Sequence, residues 1–182
     1  MKTVYLVRHA KAEGQLELAQ LTEKGLKQAV ALIDFFKNKQ IDRIYSSPFI
    51  RAVETIKPTA LEKNIGIIED SRLGERVLSR IQIEDWKGKL KQSFDNFDLV
   101  FEGGESHADG MNRAASILKD VLKSDDQNIV LVSHGNLTTL LLRYFNESFG
   151  FEHLMGMTNP DVFEVAVTGE QCVIHRIWDD RV

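Results

Sequence analysis

The chain has 182 residues, enough for one compact domain with a real hydrophobic core. Its composition, 43% apolar and 27% charged, excludes a mainly disordered polypeptide. The 23 Lys and Arg against 27 Asp and Glu give a formal net charge of −4, which argues against a dedicated nucleic-acid binder and leaves any anionic ligand to a local pocket.

Cys172 stands alone, so neither an internal disulfide nor a cysteine-based metal cluster can form. No apolar run reaches signal-peptide or membrane-spanning length, and the expectation is a soluble, cytoplasmic protein with no membrane partner.

From the N-terminus, residues 3–7 form an apolar run rich in β-branched side chains, the pattern of a strand covered on both faces. Leu26, Ala29, Val30, Ile33 and Phe36 then recur at helical spacing behind Thr22 as N-cap. Residues 41–45 are a weaker strand candidate. Ser47-Pro48 predicts a helix over about 48–63, serine capping and proline at the first helical position. Residues 65–68 are another weak strand. Over about 73–105 the alternation breaks: charges mix with Trp86, Phe94, Phe97 and Phe101 in what reads as a small cap-like excursion over one end of the sheet. Its aromatics either line a substrate entrance or anchor the segment to the core.

Ser106 and Asp109, in capping-box spacing, introduce a helix with the stripe Ala114, Ile117, Leu118, Val121 and Leu122. A buried strand at 129–132 and a helix carrying Leu137, Leu140, Leu141 and Tyr144 follow. Residues 162–167 and 172–177 flank Thr168-Gly169-Glu170-Gln171 as a hairpin. The expected fold is a three-layer α/β/α sandwich with a mostly parallel central sheet and an antiparallel C-terminal edge hairpin.

Ligands of open α/β sheets sit beyond the carboxyl ends of the strands. After residues 3–7 comes Arg8-His9-Ala10; after 41–45, Ser46-Ser47-Pro48, with Arg51 one turn into the next helix. After 65–68 comes Leu73-Gly74-Glu75-Arg76, and after 129–132, Ser133-His134-Gly135-Asn136. Two histidines, two arginines and a carboxylate therefore emerge on one rim. Arginine presents a planar fork matched to phosphate oxygens. Helices beginning near Ser47 and Gly135 would turn backbone N–H groups toward that rim, with Gly135 and Asn136 as phosphate ligands. The set specifies a dianion pocket in which a histidine attacks and an acid protonates the departing alkoxide.

Val7-Arg8-His9-Ala10 resembles the Arg-His-Gly signature of the histidine phosphatase superfamily, which includes the cofactor-dependent phosphoglycerate mutases. The resemblance continues in order through Leu21-Thr22-Glu23-Lys24-Gly25 with Gln28-Ala29, Tyr45-Ser46-Ser47-Pro48 with Arg51-Ala52 and Thr55, Gly103-Gly104-Glu105-Ser106, and Val132-Ser133-His134-Gly135-Asn136. Asn159 lies where the family's closing strand pair begins. The resemblance implies a phosphoglycerate mutase-like fold. It makes His9 the nucleophile that forms a phosphohistidine, and Arg8, Arg51 and His134 the groups that hold the phosphoryl oxygens. Glu75 becomes the acid for the leaving group and then the base for water. It implies a small phosphorylated substrate, no cofactor and no metal.

Two departures stand out. Ala10 replaces the family's glycine, a strained change if that turn has positive φ and a mild one otherwise. Residues 11–20 lack the Trp-Asn pair typical of mutases, leaving open whether Lys11, Glu13 or Gln15 substitutes for the asparagine. Three alternatives to a phosphatase remain: a mutase sharing every catalytic residue, a metallohydrolase using His9, His134 and Glu75, and a phosphate-binding module without turnover. His107 reads either as reaching the pocket mouth or as exposed early in its helix; His153 and His175 read as non-catalytic, His175 as a structural residue.

Overall fold

The computed structural model describes residues 1–179. Strand β1 (Lys2–Arg8) is the centre of a six-stranded sheet of order β3-β2-β4-β1-β5-β6, with β2 at Arg43–Ser46, β3 at Ile67–Glu69 and β4 at Asn128–Ser133. These four strands run parallel, while β5 (Asp161–Thr168) and β6 (Gln171–Arg176) complete the sheet antiparallel. The expected sandwich and edge hairpin are what the chain forms.

Strand β1 is apolar without interruption because both its faces are covered. Val4 and Leu6 join Ile129 and Leu131 in one core, under α4 (His107–Lys123) and α5 (Gly135–Phe145). Tyr5 and Val7 join Val130, Val132 and Ile44 in the other, against α1 (Glu23–Phe36) and α2 (Ile50–Glu62). Alternate residues of one strand therefore feed two separate cores.

Parallel register aligns the strand ends. Arg8 lies opposite Ser133, and Ser46 opposite Val132, so His9, His134 and Ser47 leave the sheet at one level. Strand β3 ends at Glu69, and a 3-10 turn at Ser71–Leu73 returns the chain toward that edge.

Three expectations shift. Helix α1 is rotated: Gly25, Gln28, Ala29, Leu32 and Phe36 face inward, while Leu26 and Val30 are 53% and 58% exposed. The cause lies at its first turn. A Cβ at Gly25 would stand 2.0 Å from the Lys11 carbonyl, and Gln28 Oε1 accepts the Lys11 amide at 3.0 Å. Backbone contact, not the apolar stripe, chooses the buried face. Helix α2 starts at Ile50 rather than Pro48, because the Ser47 hydroxyl is used in a turn, accepting the Phe49 amide at 3.2 Å.

The excursion contains α3 (Trp86–Asp95), which buries only Leu90 and Ser93 and so has almost no apolar periodicity to betray it. Asp85 caps it from a left-handed conformation, φ 50°, accepting the Gly88 amide. A short α6 (Phe151–Met155) precedes β5. No helix among the described residues is long and apolar enough to cross a membrane.

Candidate active site

His9 caps the central strand and is 6% exposed. Its Nδ1 lies 2.6 Å from the Ala10 carbonyl, which can only accept, so Nδ1 carries the proton and Nε2 the lone pair. The Arg51 Nε donates to that lone pair at 3.2 Å. Burial, with the nearby Arg51 and Arg8 charges, lowers the His9 pKa to about 3 despite the carbonyl contact. The imidazole is therefore neutral and nucleophilic at Nε2 across ordinary pH.

The turn after His9 accommodates Ala10 without strain. Ala10 is not among the positive-φ residues, is fully buried, and donates its amide to Thr55 Oγ1 at 2.8 Å. Thr55 in turn donates to the Arg51 carbonyl at 2.6 Å, and Asn159 Nδ2 donates to the His9 carbonyl at 2.9 Å.

Arg51 is fully buried, a costly place for a cation that meets no carboxylate in a salt bridge among the described residues. Its Nη1 donates to the Leu16 carbonyl at 2.7 Å, while Nη2 is buried without a partner. That carbonyl is what residues 11–20 bring to the site, since Lys11, Glu13 and Gln15 are all exposed. Arg8 Nη1 donates to the Met157 carbonyl at 3.2 Å, and its Nε is likewise buried and unpartnered. Gly135 makes room for this guanidinium: a Cβ there would lie 3.1 Å from Arg8 Cζ and Nη2.

His134 is fully buried, its ring centroid 5.1 Å from that of His9 and 4.7 Å from that of Phe49. Its Nε2 lies 2.8 Å from Ser47 Oγ. That hydroxyl also accepts the Phe49 amide and keeps a proton and a second lone pair for Nε2, while His134 Nδ1 is buried without a partner. Burial first, then the nearness of His9, Arg51 and Arg8, each unfavourable to a second positive charge, hold the His134 pKa well below its usual range.

Glu75 receives three backbone amides. Oε1 accepts from Arg76 at 2.8 Å and Leu137 at 3.0 Å, and Oε2 from Asn136 at 3.1 Å. Desolvation nevertheless raises its pKa, against the pull of those amides and of Arg8. The first turn of α5 thus spends the Asn136 and Leu137 amides on a carboxyl group of the protein itself, and Gly135 is the first-turn amide that Glu75 leaves free.

His107 does not fit either expectation: it is fully buried and at neither the mouth nor the surface. Its ring stacks near Phe94 and Phe97, at centroid distances of 4.2 and 5.3 Å, so these aromatics anchor the excursion. Its nitrogens meet the Ser93 carbonyl at 2.7 Å and the Asn136 side chain at 3.0 Å. Trp86 is 50% exposed, and His153 and His175 lie on the surface. Ser47, Phe49, Thr55 and Asn159 complete the site. Sequence reading placed three of them in motifs but assigned them no contacts, because nothing in a motif says which partner a hydroxyl or amide will find.

Three buried neutral histidines make stability depend on pH. His9, His107 (lowered to about 4, chiefly by burial) and His134 each bind a proton in the unfolded chain below its ordinary pKa of about 6.5, but not in the fold. Their contribution is complete above that pH and is lost as pH falls toward the folded values. Glu75, raised by burial, works in the opposite sense and offsets at most one proton. Near pH ~5.5 the unfolding free energy should fall by about 2–4 kcal/mol per pH unit of acidification, the lower end applying where Glu75 is protonated in the fold. Urea titrations at closely spaced pH values test this, and His9→Ala should reduce the slope by about one proton.

A doubly wound sheet that gathers two arginines, two neutral histidines and a partly buried carboxyl group at its carboxyl edge has the groups that a phosphoryl-group site requires. The chain belongs to the histidine phosphatase superfamily (branch 1), whose family model matches residues 4–180. It is 33% identical over 151 residues to phosphoserine phosphatase 1 of Hydrogenobacter thermophilus, covering 74% of this chain and 71% of that one. It is 29% identical over 204 aligned positions to the phosphoglycerate mutase-like protein AT74 of Arabidopsis thaliana, covering 91% of this chain and 64% of that protein's length. In structure it is similar to the mycobacterial glucosyl-3-phosphoglycerate phosphatase, with a TM-score of 0.81 over 97% of this chain and 98% of that one; at 22% identity this is a likeness of fold.

Proposed function

We propose that this chain is a single histidine phosphatase-like domain, with residues 73–105 as a small cap, that hydrolyses phosphate monoesters through a phosphohistidine on His9. The observation that carries the reading is the His9 imidazole: neutral, protonated on Nδ1 and facing Arg51 with its Nε2 lone pair. Arg8 Nε and Arg51 Nη2 are buried N–H groups with no partner, and His134 Nδ1 is a buried nitrogen with none; with Ser47 donating to His134 Nε2, the three are a complement for three phosphoryl oxygens. Gly135 adds its amide. Asn136 belongs to this set by its place rather than by its N–H, which holds Glu75.

As substrate binds, the Arg51 Nε hydrogen passes from the imidazole to a phosphoryl oxygen, freeing the nucleophile. The Nε2 lone pair forms the N–P bond while the P–O bond to the leaving group breaks. Positive charge developing on the ring is met by the Ala10 carbonyl at Nδ1. Glu75, protonated on Oε2, the oxygen with fewer amide donors, delivers that proton to the departing alkoxide. The resulting carboxylate removes a proton from water, which attacks phosphorus and releases phosphate, restoring both His9 and Glu75.

No metal takes part in this scheme. His9 Nε2 and His134 Nε2 are occupied by Arg51 and Ser47, and among the described residues no group of three or more His, Cys, Asp or Glu side chains is placed to hold an ion. Full activity in excess chelator is the expected result; loss restored by a divalent cation would return the metallohydrolase reading. The sequence similarity to phosphoserine phosphatase 1 supports a small phosphorylated substrate, and the net charge of −4 argues against a nucleic-acid partner.

Incubation with 3-phosphoglycerate and a bisphosphoglycerate primer separates hydrolysis from mutase transfer. Release of inorganic phosphate is expected, and rapid 2-phosphoglycerate formation with little free phosphate would overturn the assignment. Failure to trap an acid-labile phosphoenzyme with a chromogenic aryl phosphate would instead support a binding module.

A further inference from the structure

The Gly-Gly-Glu-Ser block has no part in the phosphate pocket, although it closes the excursion that Glu75 opens. Three successive carbonyls ahead of Glu75 are each held by a side chain. Arg113 Nη1 donates to the carbonyls of Arg72 at 2.9 Å and Gly74 at 3.0 Å, and Ser133 Oγ donates to that of Leu73 at 2.7 Å. The remaining edge of the same guanidinium grips Glu105: Nε to Oε1 and Nη2 to Oε2, both at 2.7 Å. Glu105 also accepts Arg76 Nε on its own carbonyl at 2.9 Å and donates its amide to the Val77 carbonyl at 2.8 Å. One planar fork thus ties the outgoing and returning limbs of the excursion together, on either side of the residue that must deliver a proton.

We infer that Arg113, through its paired contacts with Glu105 and with the carbonyls of Arg72 and Gly74, is a positioning residue that sets the Glu75 carboxyl group at the leaving-group oxygen. The inference rests on the acid–base part assigned to Glu75 above. Four of the five guanidinium N–H groups are used, in a geometry that is rigid by planarity, and they are projected from the interior of α4, a 17-residue helix. A lysine could supply the charge but not the fork. The pair is about one-quarter exposed (26% and 22%), so its contribution to folding is modest, and what it chiefly fixes is direction. Catalytic geometry is sensitive to shifts of about 1 Å, a displacement that can lower rates on the order of 100-fold.

The test uses dependence on the leaving group, since a good leaving group needs little help from an acid and a poor one needs much. The value of kcat/KM, which reports the phosphoryl-transfer step onto His9, is measured on p-nitrophenyl phosphate and on phenyl phosphate for the full chain. For Glu75→Gln the ratio between the two substrates is expected to shift by about 100-fold against phenyl phosphate. For Arg113→Gln it should shift in the same direction by about 10-fold, with Arg113→Lys failing to restore it. Circular dichroism and thermal melting establish that the variants are folded; should Arg113→Gln not fold, Glu105→Gln, which cuts the same tie from the other side, decides by the same ratio. A selective loss in Glu75→Gln beside an equal or absent loss on both substrates in the Arg113 or Glu105 variant overturns the inference alone. An unselective Glu75→Gln overturns the acid–base reading and this inference with it.

Discussion

Replacing His9 with alanine is expected to lower turnover by about 10⁴-fold or more, because it removes the group proposed as nucleophile, without which its partners cannot work. The pocket should survive the change. Arg8 remains held by the Met157 carbonyl and Arg51 by the Leu16 carbonyl, and neither contact passes through the imidazole. The variant should therefore still bind inorganic phosphate while forming no phosphoenzyme, read by calorimetry and by acid-quench labelling. Residual turnover within about 10-fold of the parent would mean that another group attacks phosphorus.

The second large effect belongs to Arg51. Arg51→Met keeps the length and apolar body of the side chain but removes the cation, and should cost about 10²–10³-fold in kcat/KM, the usual loss for a charge-stabilising donor. Stability should move the other way. The guanidinium is fully buried with Nη2 unpartnered, and desolvation lowers its pKa despite the attraction of Glu75. Such a group is retained against the preference of the fold, so the methionine variant should melt at the same temperature or higher. A fall in Tm of more than a few degrees would show that Arg51 serves the core rather than the reaction.

Strands β1 and β4 were legible because burial on both faces demands unbroken apolar runs, and α4 because Ser106 takes the Asp109 amide exactly where a cap must. Helix α3 was not legible, since a segment that buries two residues leaves no periodic trace. The face of α1 was misread for a related reason: its Leu26 and Val30 continue an apolar pattern, yet Gly25 and Gln28 dock on the Lys11 backbone and turn them outward.

At the site, the chain order of residues was enough to bring Arg8, His9, Arg51, Glu75 and His134 to one edge, because each follows a strand or the turn after one, and parallel strands end together. Residue identity alone likewise specified a cationic, imidazole-rich pocket. What tertiary structure decided was protonation and direction. The Ala10 carbonyl chooses the His9 tautomer, the Ser47 hydroxyl engages His134 Nε2, and the amides of Asn136 and Leu137 turn from phosphate to Glu75. The first choice turns on the rotamer that packing imposes on His9, the others on hydrogen-bond partners brought from dozens of residues away, and all on how completely water is excluded; none of this is written in the spacing of a motif.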